Sequence, residues 1–190
     1  MPEDSPPERR RKRPPKPLDR ALFEDLALTY VARFTTTAAK FERYLKRKLR
    51  ERGWADDGEP PVAATVERYV ELGYIDDAAF ARIKVGSLLR RGYGVRRVRQ
   101  ALGEAGVGEA LRDEAAPGEA EAREAALTYA RRRRFGPFGT AAPDAALREK
   151  QLAAMVRAGH GFDAARALVD AASEAEAVQW VAEACDEEDC

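Results

Sequence analysis

The sequence predicts an all-α fold of three tandem three-helix repeats, helix-turn-helix-like units that form an elongated curved solenoid. Three observations predict it. From Leu18 onward, apolar residues recur every three or four positions, the helical period. A glycine followed by a corner-filling side chain recurs at Gly53-Trp54, Gly106-Val107 and Gly159-His160, a spacing of about 50 residues. β-Branched residues never alternate over a length that would make a strand. One such unit buries too little apolar surface to stand alone, whereas stacked units share a core.

Residues 1–17 mix Pro, Arg and Lys without apolar periodicity and read as a disordered basic arm. Repeat 1 covers 18–73. Leu18, Leu22, Leu26 and Tyr30 mark its first helix, which should end near Arg33. Thr35, Thr36 and Thr37 offer a cap for the second, whose stripe is Phe41, Tyr44, Leu45 and Leu49. Gly53 should stop it in the left-handed conformation, with Trp54 as a lid. Pro61 suits the first turn of a third helix carrying Val62, Val66, Tyr69 and Val70 and ending at Gly73.

Repeat 2 covers 74–116. Asp76 or Asp77 caps a helix with Phe80, Ile83, Leu88 and Leu89 as core candidates. Gly92-Tyr93-Gly94 is a tight turn. Val95, Val98, Leu102 and Ala105 then share one face, Gly106-Val107 makes the corner, and a short helix runs through Leu111. Repeat 3 covers 117–172. Its first helix carries Ala122, Ala125, Ala126, Tyr129 and Ala130 and ends in Arg131–Arg134. After a loop at 135–139, Leu147, Leu152, Met155 and Val156 mark the next, and Ala165, Leu168 and Val169 the last. Residues 173–190 read as an acidic, disordered tail.

Charge is balanced in total, 33 basic against 33 acidic residues, but not in place. The stretch from Asp170 to Cys190 holds eight acids and neither Lys nor Arg, so a basic body is joined to an acidic end. No apolar run approaches the roughly 20 residues that span a bilayer, and no apolar segment follows the basic N-terminus as in a secretory signal. A cytoplasmic protein is expected. Cys185 and Cys190 match no common zinc spacing and read as reduced thiols.

The segment from Gly73 to Val107 is the most specific. Tyr74, Ile75, Asp76, Asp77, Phe80 and Ala81, then Arg91-Gly92-Tyr93-Gly94, then Val98, Leu102 and Gly106-Val107, resemble the signature of the RecX family. The resemblance covers roughly 18–169. The third repeat departs from the pattern, with Ala158 and His160 where the family has an arginine and an aromatic residue. The resemblance implies a protein that modulates the recombinase RecA, thereby regulating recombinational repair and the SOS response. Its members lie along the groove of the RecA–DNA filament and inhibit ATP hydrolysis and strand exchange or promote disassembly. The implied partners are the RecA filament and, weakly and without sequence preference, single- or double-stranded DNA. A monomer is expected, with no small-molecule substrate, cofactor or metal.

Candidate contact residues are the basic ones whose local charge is not balanced: Arg82, Lys84, Arg90, Arg91, Arg96, Arg97 and Arg99 in repeat 2, and Arg131, Arg132 and Arg133 in repeat 3. The last three also sit where cations favour a helix C-terminus. Asp76 and Asp77 read as cap residues rather than catalytic carboxylates, because no His, acid or metal cluster accompanies them. Gly92-Tyr93-Gly94 follows a helix and lacks both nucleotide fingerprints, so it reads as a turn. His160, the single histidine, reads as a corner plug. No nucleophile–base spacing stands out, which points away from an enzyme. The alternative is a helix-turn-helix DNA-binding transcriptional regulator. Against it, the third helices open with Pro61-Val62-Ala63 and Gly108-Glu109-Ala110, poor readers of bases.

Overall fold

The computed structural model describes residues 16–188 and is all-α, with no strand among them. The basic arm up to residue 15, Cys190, and the Cys185 side chain lie outside the described residues. The chain divides into two compact units. One comprises the described residues through Phe34 together with Phe41–Tyr74; the other comprises Thr35–Lys40 and the residues from Ile75 onward.

Three helices build the first unit: α1 (Arg20–Arg33), most of α2 (Ala38–Arg52) and α3 (Val62–Glu71). α1 starts where the Asp19 carboxylate accepts from the Leu22 amide at 2.8 Å, which satisfies one of its otherwise unpaired N–H groups. Phe23, Ala27, Phe41, Leu45 and Tyr69 form the interior. Tyr30 stacks on Tyr44 at 3.9 Å, and Phe41 meets Tyr69 edge-on at 5.5 Å. Gly53 adopts φ +82°, as its place at the end of α2 requires. Leu18 and the residues flanking Trp54 then exchange backbone hydrogen bonds, Leu18 to Gly53 at 3.0 Å and Ala55 to Leu18 at 2.8 Å. This isolated bridge sets Trp54 edge-on against Phe23 at 5.8 Å. Val70, expected in the stripe of α3, is exposed; Thr65 takes the buried position one turn before Tyr69.

The second unit holds α4 (Asp77–Arg90), α5 (Val95–Ala105), α6 (Glu109–Glu114), α7 (Glu119–Arg133), a 3₁₀ turn at Gly136–Phe138, α8 (Ala145–Arg157), α9 (Phe162–Val169) and α10 (Glu174–Glu188). Asp76 is the cap of α4, accepting from Ala79 N at 2.7 Å. Asp77 reaches across instead, its carboxylate accepting from Ala38 N at 2.9 Å. The stripe of α4 is Ala81, Val85 and Leu88, with Phe80 beside it. Ile83, expected in the core, is two residues from both Ala81 and Val85, about 200° around the helix, and is 62% exposed. Leu147 is likewise outside its core, on the first turn of α8. One cluster of buried residues packs α4 and α5 with Val107 of the following corner, with Leu111 of α6 against it; another packs α7 to α10.

The end of the chain corrects the reading of a disordered acidic tail. Residues Glu174–Glu188 form a helix, α10, whose Ala177, Val181 and Ala184 are buried, the first two against α7 and α9. Acidic residues occupy its solvent side and masked this stripe of small apolar residues. Arg123 of α7 clamps it, donating to the Trp180 carbonyl at 2.8 Å and lying 4.7 Å over the indole ring. Removing residues 174–190 should therefore expose the apolar faces of α7 and α9. Far-UV circular dichroism should lose more helix than α10 contributes, and the melting temperature should fall. A shortened chain that melts like the full one would show that α10 adds nothing to this core.

Candidate functional site

The second and third repeats meet in a junction made of backbone. α5 begins after Gly94, and α8 ends at Arg157, just before Gly159. Gly94 N donates to Ala158 O at 3.0 Å, and Arg96 N donates to Gly159 O at 3.1 Å. The unpaired amides at the start of one helix thus meet the unpaired carbonyls at the end of another. Only glycine permits this approach. A Cβ on Gly94 would lie 2.4 Å from the Gly159 carbonyl, and one on Gly159 would lie 2.5 Å from Arg97 N, with φ already at +100°. Gly92, at φ +79°, presses against the backbone of Tyr129 in the same way.

His160 plugs this corner, buried. Its Nε2 lies 3.0 Å from Gly92 O, and its ring is 5.7 Å from that of Tyr129. A carbonyl only accepts, so the proton sits on Nε2. Burial holds the imidazole pKa below its ordinary value, opposed by the Gly92 hydrogen bond. The histidine therefore takes up a second proton less readily in the folded protein than when unfolded. Its stabilising contribution is complete above about pH 6.5 and is lost as the pH falls below that value.

Around the junction lies a cleft of about 520 Å³. Arg91, Arg132, Arg133 and Arg157 line it with Tyr93, Tyr129, Ala154 and Ala158. Three helix ends supply the arginines: Arg91 caps α4, Arg132 and Arg133 close α7, and Arg157 closes α8. Arg132 Nη1 donates to Arg91 O at 2.9 Å, and the Arg91 guanidinium lies 5.1 Å over the Tyr93 ring. Arg133 lies 5.8 Å from the Phe135 ring. Of the candidate contact residues, the fold thus brings together Arg91, Arg132 and Arg133. Arg157 joins them, although a single arginine in an otherwise mixed helix gave no signal in the sequence.

The other candidates lie elsewhere. Arg96 and Arg97 are exposed on α5, opposite the buried Val98, Leu102 and Ala105, and Arg97 donates to Gln100 at 2.9 Å. Arg99 is held by Asp113 of α6 at 2.7 Å. Arg82 is exposed and Lys84 partly buried on α4. Arg90 borders a separate groove beside Glu121 and Glu124, and Arg131 lies 5.5 Å over Phe138. In the signature segment, Ile75, Phe80, Ala81, Gly92, Gly94 and Leu102 are buried, Gly106 takes φ +80°, and Tyr74 is 54% exposed. Among the described residues, no helix is long and apolar enough to cross a membrane.

Two measurements probe this region. Gly94→Ala should cost about 1–3 kcal/mol or more by overpacking. Gly108→Ala, where nothing lies within 4 Å of the added methyl group, should stay within about 1 kcal/mol. Equal losses in denaturant melts would refute the close crossing. Between pH 7.5 and 5.5, the wild-type melting temperature should fall more steeply than that of His160→Gln, a variant that keeps a donor but cannot titrate.

Residues 76–115, which hold α4 to α6, match the family model for RecX, second three-helix domain. The regulatory protein RecX of Myxococcus xanthus is 33% identical over 175 residues, 86% of this chain and 91% of its own length. That of Halorhodospira halophila is 36% identical over 151 residues, 79% and 88% of the two chains. In fold, the crystal structure of RecX from Lactobacillus salivarius superposes with a TM-score of 0.61 at 15% identity, over 79% of this chain and 94% of that one. A second crystal structure of regulatory protein RecX gives 0.59 at 20% identity, over 80% and 71%. With full-length relatives at this identity and the glycine corners in place, the chain belongs to the RecX family of regulatory proteins.

Proposed function

We propose that this chain binds along the filament that RecA forms on DNA and lowers RecA's ATP hydrolysis and strand exchange, restraining recombinational repair. It acts as a monomer in the cytoplasm, by binding rather than by chemistry of its own. One observation carries the reading: similarity to regulatory proteins named RecX over 86% of the chain. The surface chemistry supports it. Arg96 and Arg97 project from α5, whose opposite face is locked into the core. A nucleoprotein filament offers carboxylates and phosphates to such guanidinium groups, which bind both in forked pairs.

The test is RecA's DNA-dependent ATP hydrolysis. The wild-type chain should slow it at modest molar ratios. Replacing Arg96 and Arg97 together by Ala should raise the concentration needed about tenfold, or about 1.4 kcal/mol of lost contact. Absence of any wild-type effect on both ATP hydrolysis and filament length would reject the reading.

A further inference from the structure

The cleft at the repeat junction has a composition that filament binding by α5 does not account for. Its lining holds four arginines, two tyrosines and two alanines, and no carboxylate. Among the described residues, none of the four arginines is within ion-pair distance of an acid, although such pairs occur on α1, α2, α5, α7, α8 and α9. Helix ends supply part of the missing negative charge. Three C-termini contribute at most roughly −1.5 charges, against four guanidinium groups. A net positive charge of at least about 2.5 thus stands in a concave site.

The side chains are also pre-positioned. Arg132 is tied to the Arg91 carbonyl, Arg91 rests on Tyr93, and Arg133 lies against Phe135. Each contact restricts a long side chain before any ligand arrives, which lowers the entropy lost on binding. Ala154 and Ala158 are small, so the floor of the cleft admits an anion close to Arg157. Guanidinium groups rather than ammonium groups, more than one of them within reach, suit the tetrahedral oxygens of phosphate. The tyrosines add an aromatic edge beside those charges, the combination found where phosphates carry bases.

We infer that this cleft is a binding site for consecutive phosphate groups, with Arg91, Arg132, Arg133 and Arg157 as the ligands to the phosphate oxygens. The phosphates come from the backbone of a single-stranded nucleic acid; the triphosphate of a free nucleotide has the same chemistry. The inference extends the filament-binding reading by giving the DNA component a defined place on the protein. It does not require RecA to be present, so the two can fail separately.

The experiment uses the full chain without RecA. Binding of a fluorescent oligothymidylate is followed by anisotropy across a salt series, with ATP and a poly-glutamate peptide as competitors. Arg91→Gln/Arg157→Gln should weaken oligonucleotide binding at least tenfold. It should also lower the slope of log affinity against log salt by about 1.4, which is roughly 0.7 for each lost phosphate contact on a single strand. Lys46→Gln/Arg47→Gln removes the same charge from α2 and should leave the slope unchanged. Displacement by ATP that is lost in the cleft variant identifies a nucleotide as the second source and supports the site.

A cleft variant that binds like the wild type, with the same slope, overturns the inference. So does equal displacement by poly-glutamate, which would mark the cleft as a carboxylate site. Melting curves of both variants establish that each is folded. Should one melt early, Arg157→Lys, which keeps the charge but loses the fork, must still show a weakened affinity. If RecA's ATP hydrolysis is unaffected by a chain that binds phosphates through the cleft, the proposed function fails and the cleft stands.

Discussion

The contact on which the larger unit depends is the crossing of two backbones at Gly94 and Gly159. It aligns the start of α5 with the end of α8, so that amides left over by one helix satisfy carbonyls left over by the other. Buried polar groups that would otherwise need water or side chains are paired without either. The same crossing fixes where Gly92, Tyr129 and His160 must lie, since each touches a neighbour across it. It also sets the walls of the arginine cleft, because Arg91 and Arg157 belong to the helix ends that the junction holds together. A related device recurs at Thr37. Its hydroxyl donates to the Ala105 carbonyl at 2.6 Å and accepts from Lys40 N at 3.1 Å, joining the last carbonyls of α5 to the first turn of α2.

Much of this was legible in the sequence because glycine leaves a distinct mark. Gly53, Gly106 and Gly159 all occupy the left-handed region at helix ends, as their recurrence ahead of Trp54, Val107 and His160 implied. The cap at Asp76 and the buried stripe of α5 were readable for the same reason: each is a local rule with few exceptions. Ile83 and Val85 show the limit. Both are apolar at plausible helical spacing, and only the neighbours packed against α4 decide which one turns inward. α10 was missed because its core contacts are Ala177, Val181 and Ala184, a stripe too faint to register beside so many acids. The arginine cleft lay further out of reach. Its residues come from three helices, and nothing in the order of the chain places Arg157 beside Arg91.

Electrostatics separates the arginines more finely than their numbers suggest. Arg99 is committed to Asp113, and Arg123, only 16% exposed in its side chain, serves α10 and Glu119. These are parts of the scaffold. Arg96 and Arg97 stand exposed on a helix whose other face is buried, and the four cleft arginines rest on rings, backbone or helix ends rather than on acids. A chain with zero formal charge thus keeps a strongly positive site by placing its carboxylates elsewhere.

α10 has a consequence for the surface that α7 and α9 present. Packed helices leave an apolar face that invites another element or another molecule. By laying Ala177 and Val181 over α7 and α9, the helix covers part of such a face with small side chains and leaves Glu174, Glu176 and Glu183 in solvent. A patch that α7 and α9 would otherwise offer to a partner is thus used inside the fold, beneath a helix whose outward glutamates carry negative charge.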